Sequence, residues 1–302
     1  MESSRLSRFK RAATVAPLQL MERDRNILRL IYRHRFLRSS HIIALMGDSP
    51  QQLSRRLKLL YHHGYLERPR AQLQYYERNG SKSIAYGLGN KGGLLLEQEL
   101  GVAVRPVSQG EKNRAIGGIF LEHALLVSEI MVTLELACRK RGDVRLLYED
   151  QLSLHLERQP FQWWVTIQGG SKLGVIPDCV FALEYPDRNG ACQRVHFFLE
   201  ADRGTMPVKR RNLFQTSFFR KLLAYEATWT QKIHQRNLGI HRFRVLTVTT
   251  IPARVTSLVD ACSQLKRGHR LFLFANQTIL SGDVLSPAWR SGKPGETASL
   301  LD

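Results

Sequence analysis

Three carboxylates stand at the ends of two hydrophobic runs. Asp178 precedes "CVFALEY", and Glu200 and Asp202 close "RVHFFLEAD". Alternation along a strand sends Glu200 and Asp202 to one face. Between the runs, "YPDRNGACQ" carries the Pro, Asp, Asn and Gly of a turn. The runs can therefore pair and bring all three carboxylates to one sheet end. Such a cluster repels itself unless a cation neutralises it, and hard oxygen donors favour Mg²⁺ or Mn²⁺. Asp178 and Glu200 are the expected metal ligands. A cation there would activate water and stabilise charge on a phosphoryl group. "ERNGSKS" and "NKGG" fall short of any phosphate-loop pattern, and no organic cofactor is expected.

The charge distribution supports a phosphodiester partner. The chain carries 45 Lys+Arg against 26 Asp+Glu. Residues 1–114 hold 21 basic and 9 acidic side chains, residues 115–202 hold 8 and 12, and residues 203–244 hold 10 and 1. Two basic blocks flanking an acidic one suit phosphate-binding surfaces around a carboxylate site. Lys209, Arg210 and Arg211 follow the carboxylates and are expected to hold a nucleic-acid backbone.

The elements that must position these groups are legible around them. Phe120 to Lys140 reads as an amphipathic helix. Strand-like blocks follow: "VRLLYEDQLSL", "QWWVTI", "DCVFALEY" and "RVHFFLEAD". A basic helical stretch from Val208 to Asn237, the run "RFRVLTVTT", a short helix over 253–266 and "RLFLFAN" complete the order. This alternation predicts a mixed α/β sheet with flanking helices. His123 reads as a packed core residue, and Trp163 and Trp164 as core or sheet cover rather than a base-stacking platform.

The first hundred residues have a different organisation. Ile27, Leu28, Leu30 and Ile31 recur at helical spacing, and "HIIALMG" reads as a second short helix with Ser39 or Ser40 as cap. In "SPQQLSRRLKLLYHHG", Ser49 is the expected N-cap, Pro50 fits the first helical position, and Gln52 would complete a capping box. Leu53, Leu57, Leu60 and Tyr61 form the apolar stripe. Gln51, Gln52, Ser54, Arg55, Arg56 and Lys58 lie off it, and Gln and Arg side chains can read base edges. Two strand-like pieces then flank "RNGSK", a hairpin with Arg78 and Lys82 near its tip. Three helices and a hairpin predict a winged helix-turn-helix contacting double-stranded DNA.

The expected boundaries are a flexible basic arm (1–21), the winged helix (22–101), a linker (102–116), an α/β domain (117–280) and a disordered tail (281–302). No apolar run is long enough for a membrane span, and no signal peptide is read. The four cysteines form no C-x-x-C pair and are expected to be reduced thiols in a cytoplasmic protein.

"IPD" followed by "FLEAD" resembles the PD-(D/E)xK nuclease superfamily. The whole order resembles the replication-relaxation family of plasmid and integrative-element proteins: a winged helix, then "LEHALLVSEI", "PDCVFAL", "FFLEADRGT" and the Lys221/Tyr225 pair of "RKLLAYEA". The resemblance runs over residues 22 to 275. It implies a nuclease-like domain in which Asp178, Glu200, Asp202 and Lys221 are the catalytic candidates, with Glu149 as an outer carboxylate. In active relatives of the superfamily the lysine lies two residues after the acid. Asp202 occupies that place here, and Lys221 is the candidate for a lysine that has moved to the next helix. The implied function is a DNA-binding protein acting in plasmid replication, DNA relaxation or conjugative mobilisation. The implied partners are a relaxase or other transfer proteins, or a second copy in a homodimer. Two alternatives stand beside it, a Mg²⁺-dependent DNA endonuclease and a transcriptional regulator with a degenerate nuclease-like domain.

Overall fold

A computed structural model of the chain describes residues 8–13, 15, 17–73, 83–101, 106–152, 161–167, 170–187, 189–212 and 215–302. The chain divides into two compact units, Met1–Val132 and Thr133–Asp302.

The first unit begins with α1 (Glu22–His34), β1 (Phe36–Arg38), α2 (Ser39–Met46) and α3 (Pro50–His62). It continues with β2 (Leu66–Glu67), β3 (Ala85–Leu88), α4 (Asn90–Leu100) and α5 (Pro106–Ala115). The three strands form an antiparallel sheet in the order β1-β3-β2. Ile27, Leu28, Ile31, Leu53, Leu57 and Leu60 are fully buried, so the apolar stripes of α1 and α3 make the core. The expected capping box is not formed: Ser49 makes no cap bond, and its hydroxyl donates to the Gln51 side chain at 3.1 Å. Phe36 lies opposite Gly87, where a Cβ would come within 2.7 Å of its ring. Glycine there lets the ring close the sheet.

Two expected boundaries move. Residues 106–115 are helix rather than linker, because they have core partners. Asn113 is buried and donates to the Leu88 carbonyl at 2.9 Å, and Arg114 pairs with buried Glu67 at 2.8 Å. The basic arm is also tied down over residues 8–12. Arg11 donates to the Tyr61 carbonyl at 3.0 Å, and the Ala12 amide donates to His62 Nδ1 at 3.1 Å. Helix α6 (Gly118–Arg141) follows, and Leu121 and Leu125 pack with Phe36 and Ala85.

The second unit contains β4 (Arg145–Tyr148), β5 (Trp163–Thr166), β6 (Lys172–Val175), β7 (Cys179–Pro186), β8 (Cys192–Asp202), α7 (Phe218–Thr230) and α8 (Ile233–Arg236). Then come β9 (Phe243–Thr249), α9 (Pro252–Cys262), β10 (Phe272–Asn276), β11 (Trp289–Ser291) and β12 (Thr297–Ala298). Among the described residues, seven strands form a mixed sheet in the order β12-β11-β10-β9-β8-β7-β4, and β5 and β6 form a separate hairpin. Strands β4, β7 and β8 are an antiparallel meander, whereas β8, β9 and β10 run parallel. The α+β class with a mixed sheet is thus the one the sequence predicts. Phe198, Leu222, Tyr225, Val245, Leu258 and Phe272 build the core between sheet and helices.

The segment 281–302 is not a disordered tail. It supplies β11 and β12, and Trp289, Val284 and Leu300 are fully buried. The Trp289 indole N–H donates to the Val284 carbonyl at 2.8 Å. Its Ser, Gly and Pro content marks tight turns between these apolar anchors. All four cysteines are free thiols.

Candidate functional site

The central strand β8 carries the carboxylates. Cys179 of β7 lies opposite Leu199, so Asp178, one residue earlier, falls beside Glu200. The Asp178 amide donates to the Leu199 carbonyl at 2.9 Å, and the Asp178 carboxylate accepts the Ala201 amide at 2.8 Å. Asp178 and Glu200 therefore meet at one end of two adjacent strands, as the turn chemistry between them predicts.

Helix α7 completes the cluster. Lys221 and Tyr225 are four residues apart and share one helix face. The Lys221 ammonium donates to Glu200 Oε2, and the Tyr225 hydroxyl donates to Glu200 Oε1 at 2.6 Å. Glu200 is only 2% exposed. Burial pushes its pKa up and the nearby Asp178 adds to this, while the Lys221 charge opposes both. For Lys221 burial works against the charge, but Glu200 and Asp178 outweigh it and hold the ammonium pKa above its usual value. Burial and Glu200 raise the Tyr225 phenol well above its ordinary range, which keeps it a hydrogen-bond donor.

Asp202 faces a different partner. Its carboxylate is clasped bidentately by Arg254 of α9, with the second bond at 3.0 Å, and it also accepts the Gly204 amide at 3.2 Å. Sequence proximity points to Arg203 or Arg220 as its partner, but Arg254 reaches it from 52 residues away. Asp202 thus fixes the loop after β8 to α9, and its charge is committed. Glu149 follows β4 and is half-buried, and burial and then Asp150 raise its pKa. It acts electrostatically on Cys179, the neighbour of Asp178.

Among the described residues no group of three or more His, Cys, Asp and Glu is arranged to hold a metal. Asp178 and Glu200 nevertheless fit a hard divalent cation chemically. They are oxygen donors at one end of two adjacent strands; burial first and Asp178 second raise the Glu200 pKa, and a cation would offset both. Mg²⁺ is commonly held by one or two carboxylates together with substrate phosphates.

A cleft of about 340 Å³ opens above Glu200 and Lys221, lined also by Trp164, Lys172 and Arg220. Lys209, Arg210 and Arg211 lie exposed in the loop between β8 and α7. Arg210 donates to the Thr216 carbonyl at 3.1 Å, and Lys209 lies over the Phe219 ring at 5.7 Å.

In the first unit, Gln51, Gln52, Ser54, Arg55 and Lys58 are exposed on α3, opposite the buried leucines. Arg56 does not belong with them. Its guanidinium donates to the fully buried Asp24 carboxylate, at 2.6 Å from Nε, and to the Gln19 carbonyl at 2.5 Å. Arg56 lies three residues after Leu53 and four before Leu60, which places it at the edge of the buried stripe. That spacing was the available signal. Arg78 and Lys82 lie outside the described residues. Strands β2 and β3, on either side of them in sequence, pair antiparallel, and a 3-10 turn at Arg70–Gln72 follows β2.

Comparison with curated proteins found no match, and neither did comparison with solved structures. A family model described as Replication-relaxation matches residues 28–243, from α1 to the first residue of β9. With most of its length matched, this chain belongs to the replication-relaxation family.

Proposed function

We propose that this protein binds double-stranded DNA through the first unit and acts in the replication or relaxation of a plasmid or other mobile element. The observation that carries the DNA reading is the exposed face of α3, where Arg55, Lys58, Gln51 and Gln52 project away from the buried stripe. With the β2–β3 strand pair, this arrangement supports the reading of a winged helix, whose third helix would enter the major groove. Arginine and lysine there supply phosphate and guanine contacts, and glutamine can pair with adenine. The family supplies the replication theme. Duplex binding measured by fluorescence anisotropy over a salt series tests it. Binding that falls with salt, and that weakens when Arg55 and Lys58 become alanine, is the expected result.

One observation favours a second reading, a metal-dependent DNA endonuclease. Lys221 comes from the helix after β8, yet its ammonium arrives at Glu200 beside Asp178. That charge composition supports the reading of a PD-(D/E)xK site whose lysine has moved to the next helix. Asp178 and Glu200 would hold Mg²⁺ or Mn²⁺, which when bound lowers the pKa of water and stabilises phosphoryl charge. Lys221 would place a fixed positive charge next to the scissile phosphate, and Tyr225 would orient Glu200. Arg254 keeps Asp202 out of the exchange. Cleavage assays on supercoiled and linear DNA with each metal, on wild type and Asp178→Ala, decide this reading.

A further inference from the structure

We infer that the cleft above Glu200 takes an unpaired nucleotide, with Trp164 as the platform on which its base stacks; this rests on the reading of the protein as DNA-binding. Alternation along β5 separates two neighbouring tryptophans. Trp163 is buried at 4% exposure and donates its indole N–H to Thr228 at 2.8 Å, so it belongs to the core. Trp164 points the other way and is 61% exposed. It is not sheet cover, because β5 and β6 form a hairpin of their own outside the large sheet.

The indole lies against β6. Trp164 lies opposite Gly174 on β6, and a Cβ at Gly174 would meet the indole ring at 3.4 Å. The ring edge thus rests across the glycine. Trp164 lines the cleft of about 340 Å³ that contains Glu200 and Lys221. It also lines a second cavity of about 560 Å³ with Val165, Thr166 and Lys172. The ring therefore borders open space beyond the cleft itself.

A large exposed indole beside cations has a specific use in a nucleic-acid protein. In a duplex the base faces are covered by their neighbours, so an indole can stack only on a base that has left the stack. Stacking is indifferent to base identity, since every base has a π-face. Lys172 and Arg220 line the same cleft and supply charge for the flanking phosphates. Glu200 and Lys221 would then lie against the backbone of a single or locally melted strand.

The test compares full-length wild type, Trp164→Ala and Trp164→Phe on fluorescein-labelled oligothymidine, oligouridine and duplex DNA. Trp164→Ala is expected to bind oligothymidine between about fivefold and a hundredfold more weakly, with duplex binding unchanged. Trp164→Phe should recover most of the loss. Oligouridine bound equally well would assign the site to any unpaired strand, and weaker binding would assign it to DNA. Photo-crosslinking of 5-iodouracil oligonucleotide should recover a peptide containing Trp164. Folded Trp164→Ala that binds oligothymidine like wild type, with no crosslink at Trp164, overturns this inference alone. Wild type that binds neither strand nor duplex overturns both it and the DNA-binding reading.

Discussion

Arg56 of α3 donates two hydrogen bonds to the carboxylate of Asp24 in α1, and Asp24 is fully buried. The same carboxylate accepts the Met21 amide at 2.8 Å, so one side chain joins the start of α1 to α3. Removing one partner of a buried ion pair leaves the other charge unpaired, at a cost of about 3 kcal/mol or more. Arg56→Ala is therefore expected to destabilise the first unit by about that amount, whereas exposed Arg55→Ala should change stability by less than about 0.5 kcal/mol. Urea denaturation of both variants checks this. A loss of DNA binding in Arg56→Ala is then to be read as a folding effect.

Trp289→Ala should cost about 3–5 kcal/mol, as expected for emptying a fully buried indole site. Truncation after residue 280 should go further, since it strips β11 from β10 and leaves an unpaired strand edge. Thermal melts and light scattering of the truncated chain test this. A monomeric truncation with wild-type stability would show that 281–302 is dispensable.

His34 predicts an acid sensitivity. Burial, then the nearby charges of Arg33 and His41, lower its pKa to about 3 from 6.5. A histidine with a depressed folded pKa binds its proton only on unfolding, so stability is lost as pH falls below the unfolded value. Between pH 7.5 and pH 5 the loss is about 2 kcal/mol from this residue alone. NMR should show the His34 ring still neutral at pH 5. A His34 signal that titrates near 6.5 would contradict the burial argument.

Lys221 and Tyr225 make distinct predictions for Glu200. Lys221→Met removes the charge that opposes burial, so the Glu200 pKa should rise further. Tyr225→Phe removes a neutral donor and should raise it less. Infrared titration of the carboxylate band reads both. Under the endonuclease reading, Lys221→Met should also lower cleavage by at least about a hundredfold, as for loss of a fixed charge at a transition state.

Local signals were sufficient for several local features, though not for the capping box at Ser49, which is not formed. The stripe of Leu53, Leu57 and Leu60, the turn between β7 and β8, and the i, i+4 pair Lys221 and Tyr225 each lie within one element or one hairpin. Partners distant in sequence were not legible. Nothing in "FFLEADRGT" indicates that Arg254 will take Asp202, because the parallel β8–β9 pairing and α9 decide it. Likewise Asp24 claims Arg56 through helix packing, although the three- and four-residue spacing to the leucines placed Arg56 beside the core. The C-terminal strands were hidden by composition, since turn residues outnumber the few anchors that order them. Trp164 was hidden by its neighbour: two adjacent tryptophans read as one apolar block until strand alternation separates them.

The central claim, that the α3 face binds duplex DNA, is tested most directly by anisotropy titrations of wild type and Arg55→Ala/Lys58→Ala from low to moderate salt. Wild-type affinity should fall linearly on logarithmic axes. The double variant should bind several-fold more weakly, with a slope shallower by about two units for two lost phosphate contacts. A folded double variant whose isotherms and salt slope match those of wild type, or a wild type that does not bind duplex DNA at all, would contradict it.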